Sequence, residues 1–115
     1  MVDGENSNVL QEKHCRPCES GTPPLSESDV SARLQLLNGW KQERNSICKT
    51  YQFKNFHQTI AFVNAVAWIS HREGHHPDLS VSFNCCRVSY TTHSIAGLSE
   101  NDFICATKVD ALIAG

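Results

Sequence analysis

The chain has 115 residues, a formal net charge of −2, 40% hydrophobic and 19% charged residues. That length is one domain with one core, and the near-balanced charge gives no net attraction to nucleic acid or an anionic membrane. No apolar run is long enough to span a bilayer, and the opening "MVDGENSN" lacks the basic-then-apolar profile of a secretion signal, so a cytoplasmic setting is expected.

Residues 1–24 read as an N-terminal extension, partly flexible, that closes with "GTPP", and residues 25–115 as a single folded domain. The extension carries Cys15 and Cys18 at metal or redox spacing. No second Cys-x-x-Cys exists to complete a zinc site, and the pair does not stand at a helix start after a strand. Of the six cysteines, Cys85 and Cys86 are adjacent and would point to opposite faces of a strand, while Cys48 and Cys105 sit among apolar residues. Reduced thiols are expected throughout.

The first helix is predicted from Ser26 as N-cap, with Val30, Leu34 and Leu37 as its apolar stripe and Asn38-Gly39 as its end. "WKQER" and "SICKTYQF" then read as a hairpin around Asn45. Ile47, Tyr51 and Phe53 share one face of its second strand, and Lys49 on the same face suggests an edge strand. The longest helix is predicted from Asn55 to Gly74, with Phe56, Ile60, Val63 and Ala67 in one arc and His57, Asn64 and His71 in another. After Pro77 the period becomes two: Leu79, Val81 and Phe83, then Val88 and Tyr90, with a turn at Asn84-Cys85. A last helix starts at Ser99, with Asp102 as the carboxylate of a capping box and Cys105, Val109, Leu112 and Ile113 toward the core. The fold class expected is α+β, in two layers: a four-stranded antiparallel sheet with helices on one face, in the order α-β-β-α-β-β-α.

Three histidines, His75, His76 and His93, are the constellation that needs explaining. If the last two strands pair as a hairpin, the start of the first and the end of the second are neighbours, and the pair meets His93 at the open end. Imidazole, with an unperturbed pKa of about 6.5, both donates and accepts protons near neutrality, so acid–base chemistry is one reading. Zinc is another, since His71 and His75 have helical spacing and His93 offers a further ligand. Against it, Gly74 and Pro77 interrupt the helix there, and the glutamate that a zinc protease uses as base is missing. A helix end that stabilises histidines without any function is the third.

"GHHPDLSVSF" followed by "TTHSIAGLSENDF" resembles the pterin-4a-carbinolamine dehydratases, whose pattern is His-His-Pro, a strand pair, Thr-His, then Gly-Leu and an acidic residue. These are His75-His76-Pro77, Thr92-His93, Gly97-Leu98 and Asp102, and the likeness extends upstream through "LNGW" and "YQFKNFHQTIAFVNAVA", over about residues 25–113. The resemblance implies removal of water from 4a-hydroxytetrahydrobiopterin to give quinonoid dihydropterin, with no metal or organic cofactor. It assigns acid–base work to His75 and His93, with His76 flanking the pterin and sharing the task. Pro77 would hold the turn, and Gly74, Thr91, Thr92 and Ser94 would supply contacts to the substrate. Asp102 is structural or catalytic on this reading. Many relatives carry a glutamate where this chain has His71, so a carboxylate for the imidazoles would come from Glu73 or Asp78, or the chain would manage without one. The family also implies homo-oligomers, in which dimers pair into tetramers, and a functional link to an aromatic amino acid hydroxylase. Its alternative role is that of a non-enzymatic dimerisation cofactor of a transcription regulator. Direct nucleic-acid or membrane binding is not expected.

Overall fold

Ser26, Asn55 and Ser99 each accept a hydrogen bond from a backbone N–H in the first turn of the helix that follows, and Gly74 takes a left-handed conformation at a helix end. These local stops and starts divide a computed structural model that describes residues 7–113. In order, the elements are α1 (Ser7–Glu12), α2 (Glu27–Leu34), β1 (Lys41–Glu43), β2 (Ser46–Gln52), α3 (Phe56–Glu73), β3 (Asp78–Val81), β4 (Cys85–Tyr90), a single 3₁₀ turn (His93–Ile95) and α4 (Glu100–Ala111). The expected succession of helices and strands is present, preceded by α1. The first six residues of the N-terminal extension lie outside the described residues.

The strands form one antiparallel sheet in the order β1-β2-β4-β3. Its register sets Ile47 opposite Tyr90, Tyr51 opposite Cys86 and Leu79 opposite Val88, so these side chains share one face. Strand β4 alternates buried and half-buried along its length, and Cys86, Val88 and Tyr90 are wholly enclosed. Helices α3 and α4 cover that face, and α1 packs on α4. Lying between these neighbours, α4 is buried from Asn101 to Thr107. Among the described residues no helix is long and apolar enough to cross a membrane.

Several faces differ from those the sequence suggests. Strand β2 is interior, between β1 and β4, and Ile47 and Tyr51 are buried. Lys49 shares their face because its Nζ reaches Asp110 Oδ1 at 2.9 Å and the Asn38 carbonyl at 2.8 Å. In α3 the core stripe is Thr59, Phe62, Val66 and Ser70, whereas Phe56 and Ala67 are exposed. The helix is apolar around most of its circumference, so composition left two candidate faces and the sheet selected one. Leu112 and Ile113 are exposed instead of facing the core, and of the alternation after Pro77 Val81 and Phe83 are exposed as well. Helix α2 stops at Leu34, one turn before Asn38-Gly39.

Candidate active site

Gly74 closes α3 at φ 63°, a conformation that glycine adopts without a Cβ penalty. The reversal lets the His75 N–H donate to the Ser70 carbonyl at 3.3 Å and delivers His75 and His76 to the start of β3. Strand β3 pairs with β4 from Asp78↔Ser89 onward, so the residues just after β4 lie beside those just before β3. These are Thr91, Thr92 and His93. The turn that carries His93 is pinned at its base by Thr92 and Gly97, whose N–H groups donate to each other's carbonyls at 3.0 and 3.4 Å.

Gly74, His75, His76, Thr91, Thr92, His93 and Ser94 line one cavity of about 390 Å³. The three histidines, brought from two segments, share it. Pro77 does not line it, and Asp78 is an exposed residue of β3.

Asp102 is completely buried behind His75, and its two oxygens do different things. Oδ1 contacts His75 Nε2 at 2.6 Å. Oδ2 accepts from the Ser99 N–H at 3.0 Å and from the Thr92 hydroxyl at 2.8 Å. The Ser99 bond is the capping box, so one carboxylate starts α4 and holds a histidine. On its other side the His75 ring stacks on Tyr90, with centroids 5.7 Å apart and planes 9° from parallel. Burial pushes the Tyr90 phenol up from its ordinary value, which keeps it neutral beneath the imidazole.

Of the two other carboxylates considered for the histidines, Asp78 is exposed and Glu73 is bound to the N-terminal segment. Glu73 accepts from the Cys15 N–H at 2.8 Å and pairs with His14 Nδ1 at 3.0 Å. Its burial alone would raise the carboxyl; those bonds and Lys108 outweigh it and hold the group below its ordinary value. His71 is exposed on α3 beside Trp68, with ring centroids 5.8 Å apart, and does not line the cavity.

Part of the lining comes from the N-terminal segment, to which the sequence assigned no site role. Cys15, Arg16, Pro17 and Cys18 line the cavity, together with Glu73 and Asn101. Cys15 Sγ lies 3.5 Å from Cys105 Sγ, and that contact, with burial, pushes the Cys105 thiol up. All six cysteines are free. The Cys-x-x-Cys spacing was a visible signal for this segment, but nothing local linked it to the histidines. Tyr90 and Asn101 carried no signal: one reads as a core residue of a strand, the other as a helix-start polar residue. Among the described residues no group of three or more His, Cys, Asp or Glu side chains is placed to hold a metal ion. What the arrangement offers a flat polar ligand is three imidazoles, one of them held by a buried carboxylate.

A family model described as "Pterin 4 alpha carbinolamine dehydratase" matches residues 23–112. Relatives that carry the name pterin-4-alpha-carbinolamine dehydratase include one from Nitrosospira multiformis, 57% identical over 90% of this chain and 91% of its own. Another, from Nitrosomonas eutropha, is 58% identical over 90% of this chain and 93% of its own. Among solved structures, a "transcriptional coactivator/pterin dehydratase" from Brucella melitensis superposes with a TM-score of 0.76 at 33% identity, covering 80% of this chain and 99% of its own. A pterin dehydratase-like RuBisCO assembly factor of the alpha-carboxysome, at 24% identity and a TM-score of 0.54 over 64% of this chain and 84% of its own, shares the fold. With the family model spanning the sheet, the three histidines and α4, and with relatives matching at more than half identity, the chain belongs to the pterin-4a-carbinolamine dehydratase family, a family of hydro-lyases.

Proposed function

We propose that this protein removes water from 4a-hydroxytetrahydrobiopterin by histidine acid–base catalysis, giving quinonoid dihydropterin. The observation that carries the reading is the shared cavity of His75, His76 and His93, with His75 Nε2 against the buried Asp102 at 2.6 Å. A carboxylate only accepts, so it draws the ring proton to Nε2 and leaves Nδ1 as the basic nitrogen. His75 on this reading takes the proton from the nitrogen next to C4a. His76 or His93, both exposed to the cavity, protonates the 4a hydroxyl as the C–O bond breaks and water departs. Atoms balance without a cofactor: one proton enters at oxygen and one leaves from nitrogen. Gly74, Thr91, Thr92 and Ser94 border the substrate in this scheme.

The cellular reading follows from the chemistry of the family. The carbinolamine arises when an aromatic amino acid hydroxylase uses its pterin, so the protein would serve pterin recycling beside such an enzyme in the cytoplasm. The dehydratase-like domain would be residues 25–115, with 1–24 an N-terminal extension whose α1 packs on α4. Exposed Phe56 and Trp68 on α3 support homo-oligomers by offering apolar surface to a second copy. The deciding experiment follows the ultraviolet absorbance of freshly generated carbinolamine. Wild-type protein should speed its decay, and His75→Ala should lose about 10²- to 10⁴-fold of that acceleration, the usual share of one acid–base group. Equal decay with and without wild-type protein overturns the proposal.

A further inference from the structure

We propose that residues 15–18 are a substrate-binding wall of the pterin site and that Asn101 is the residue that positions them. The inference rests on the dehydratase reading and adds residues that lie outside the matched family model, which begins at residue 23.

The segment is held by groups that are chain neighbours of the proposed catalytic residues. Asn101, next to Asp102, accepts from the Arg16 N–H through Oδ1 at 3.0 Å and donates from Nδ2 to the Arg16 carbonyl at 2.6 Å. Glu73, two residues before His75, accepts from the Cys15 N–H at 2.8 Å. Ser94, next to His93, donates to the Cys18 carbonyl at 2.9 Å. Each anchor is thus a chain neighbour of a residue of the proposed site, Asp102, His75 or His93.

The amide of Asn101 dominates this arrangement. It satisfies both backbone groups of Arg16, as a neighbouring strand would, and so fixes position and rotation together. Successive residues of a helix point about 100° apart, which lets Asn101 serve the wall while Asp102 serves His75. Asn101 is buried, and an unstructured tail would need no such partner. The segment presents Pro17, the Cys18 thiol and the Arg16 side chain, whose guanidinium makes no bond to other described residues, while the Cys15 thiol turns to Cys105. Nothing in it lies in the hydrogen-bond path from Asp102 to His75. Its contacts would hold a reduced pterin equally before and during the proton transfers, and contacts of that kind change KM and not kcat.

The test uses the full chain carrying Asn101→Ala. Steady-state dehydration gives kcat and KM, and fluorescence titration with 7,8-dihydrobiopterin, a stable reduced pterin, gives Kd. Losing a bidentate anchor should raise KM and Kd about tenfold, with kcat within about threefold of wild type. Asn101→Asp, which keeps the acceptor for Arg16 N–H and loses the donor, should fall between. A folded Asn101→Ala protein with unchanged KM and Kd, or one that loses kcat alone, overturns the assignment. Should that variant not fold, Asn101→Asp decides alone, and unchanged KM and Kd in it overturn the assignment. The two proposals fail separately: a wild type that binds the pterin without accelerating dehydration refutes the reaction, and the Kd values then decide the wall. A wild type that does not bind the pterin sinks both.

Discussion

His75 Nε2 and Asp102 Oδ1 stand 2.6 Å apart although 27 residues separate them, and the other oxygen of the same carboxylate caps α4. Helix start and imidazole orientation are thus one device. Any repositioning of Asp102 disturbs both.

Asp102→Asn separates the two duties. The amide oxygen can still accept from Ser99 N–H and Thr92, while its NH₂ group meets Nε2 as a donor and reverses the ring's proton preference. Dehydration should fall by about 10²-fold or more with the helix content intact. Steady-state kinetics beside circular dichroism checks this, and near-wild-type rates would remove Asp102 from the mechanism.

The Glu73 clamp on Cys15 should be sensitive to acid. The folded carboxyl lies below its ordinary value of 4.5 because the Cys15 and His14 bonds outweigh the opposing effect of burial. Its contribution is therefore present above that ordinary value and is lost as pH falls through the lowered one. Amide exchange at Cys15, corrected for its intrinsic rate, should lose protection in that acidic window. Protection that holds through the acidic window would show that Glu73 does not fasten the segment.

Asp110 explains why a lysine stands on the inner face of β2. Its carboxylate accepts from Trp40 Nε1 at 3.1 Å, from Lys49 Nζ at 2.9 Å and from the Tyr51 hydroxyl. Burial, then the Asp110 bond, pushes the Tyr51 phenol up, so it remains a donor. Asp110→Ala strands Trp40 Nε1 and the Tyr51 hydroxyl, each costing about 1–3 kcal/mol where water cannot replace the bond, while Lys49 keeps the Asn38 carbonyl. With partial access of water a total near 3 kcal/mol is expected, read as a lower midpoint in urea. A change below about 0.5 kcal/mol, typical of surface substitutions, would contradict it.

Gly97 is required by a close approach. A Cβ there would sit 2.7 Å from Pro24 Cβ, at the point where Leu25 N–H donates to the Leu98 carbonyl at 2.9 Å. Gly97→Ala should cost about 1–3 kcal/mol, the usual range for overpacking, by pushing the chain before α2 away from the loop that carries His93. Equilibrium denaturation measures the loss; equal midpoints would show that the contact relaxes freely.

What the sequence determined by itself was local. Ser26, Asn55, Gly74 and Ser99 act on backbone groups a few residues away, and the alternation through Val88 and Tyr90 is a property of one strand, so element types and most boundaries were legible. The convergence of the histidines was legible too, because a two-stranded hairpin leaves its ends few ways to lie. Only the tertiary structure decided which side of the apolar helix α3 meets the sheet, why Lys49 faces inward, that Asp102 reaches back to His75, and that residues 15–18 border the cavity. Each depends on contacts between segments far apart in the chain, such as Arg16 with Asn101, 85 residues apart. A side chain's own neighbours in sequence carry no information about such a partner.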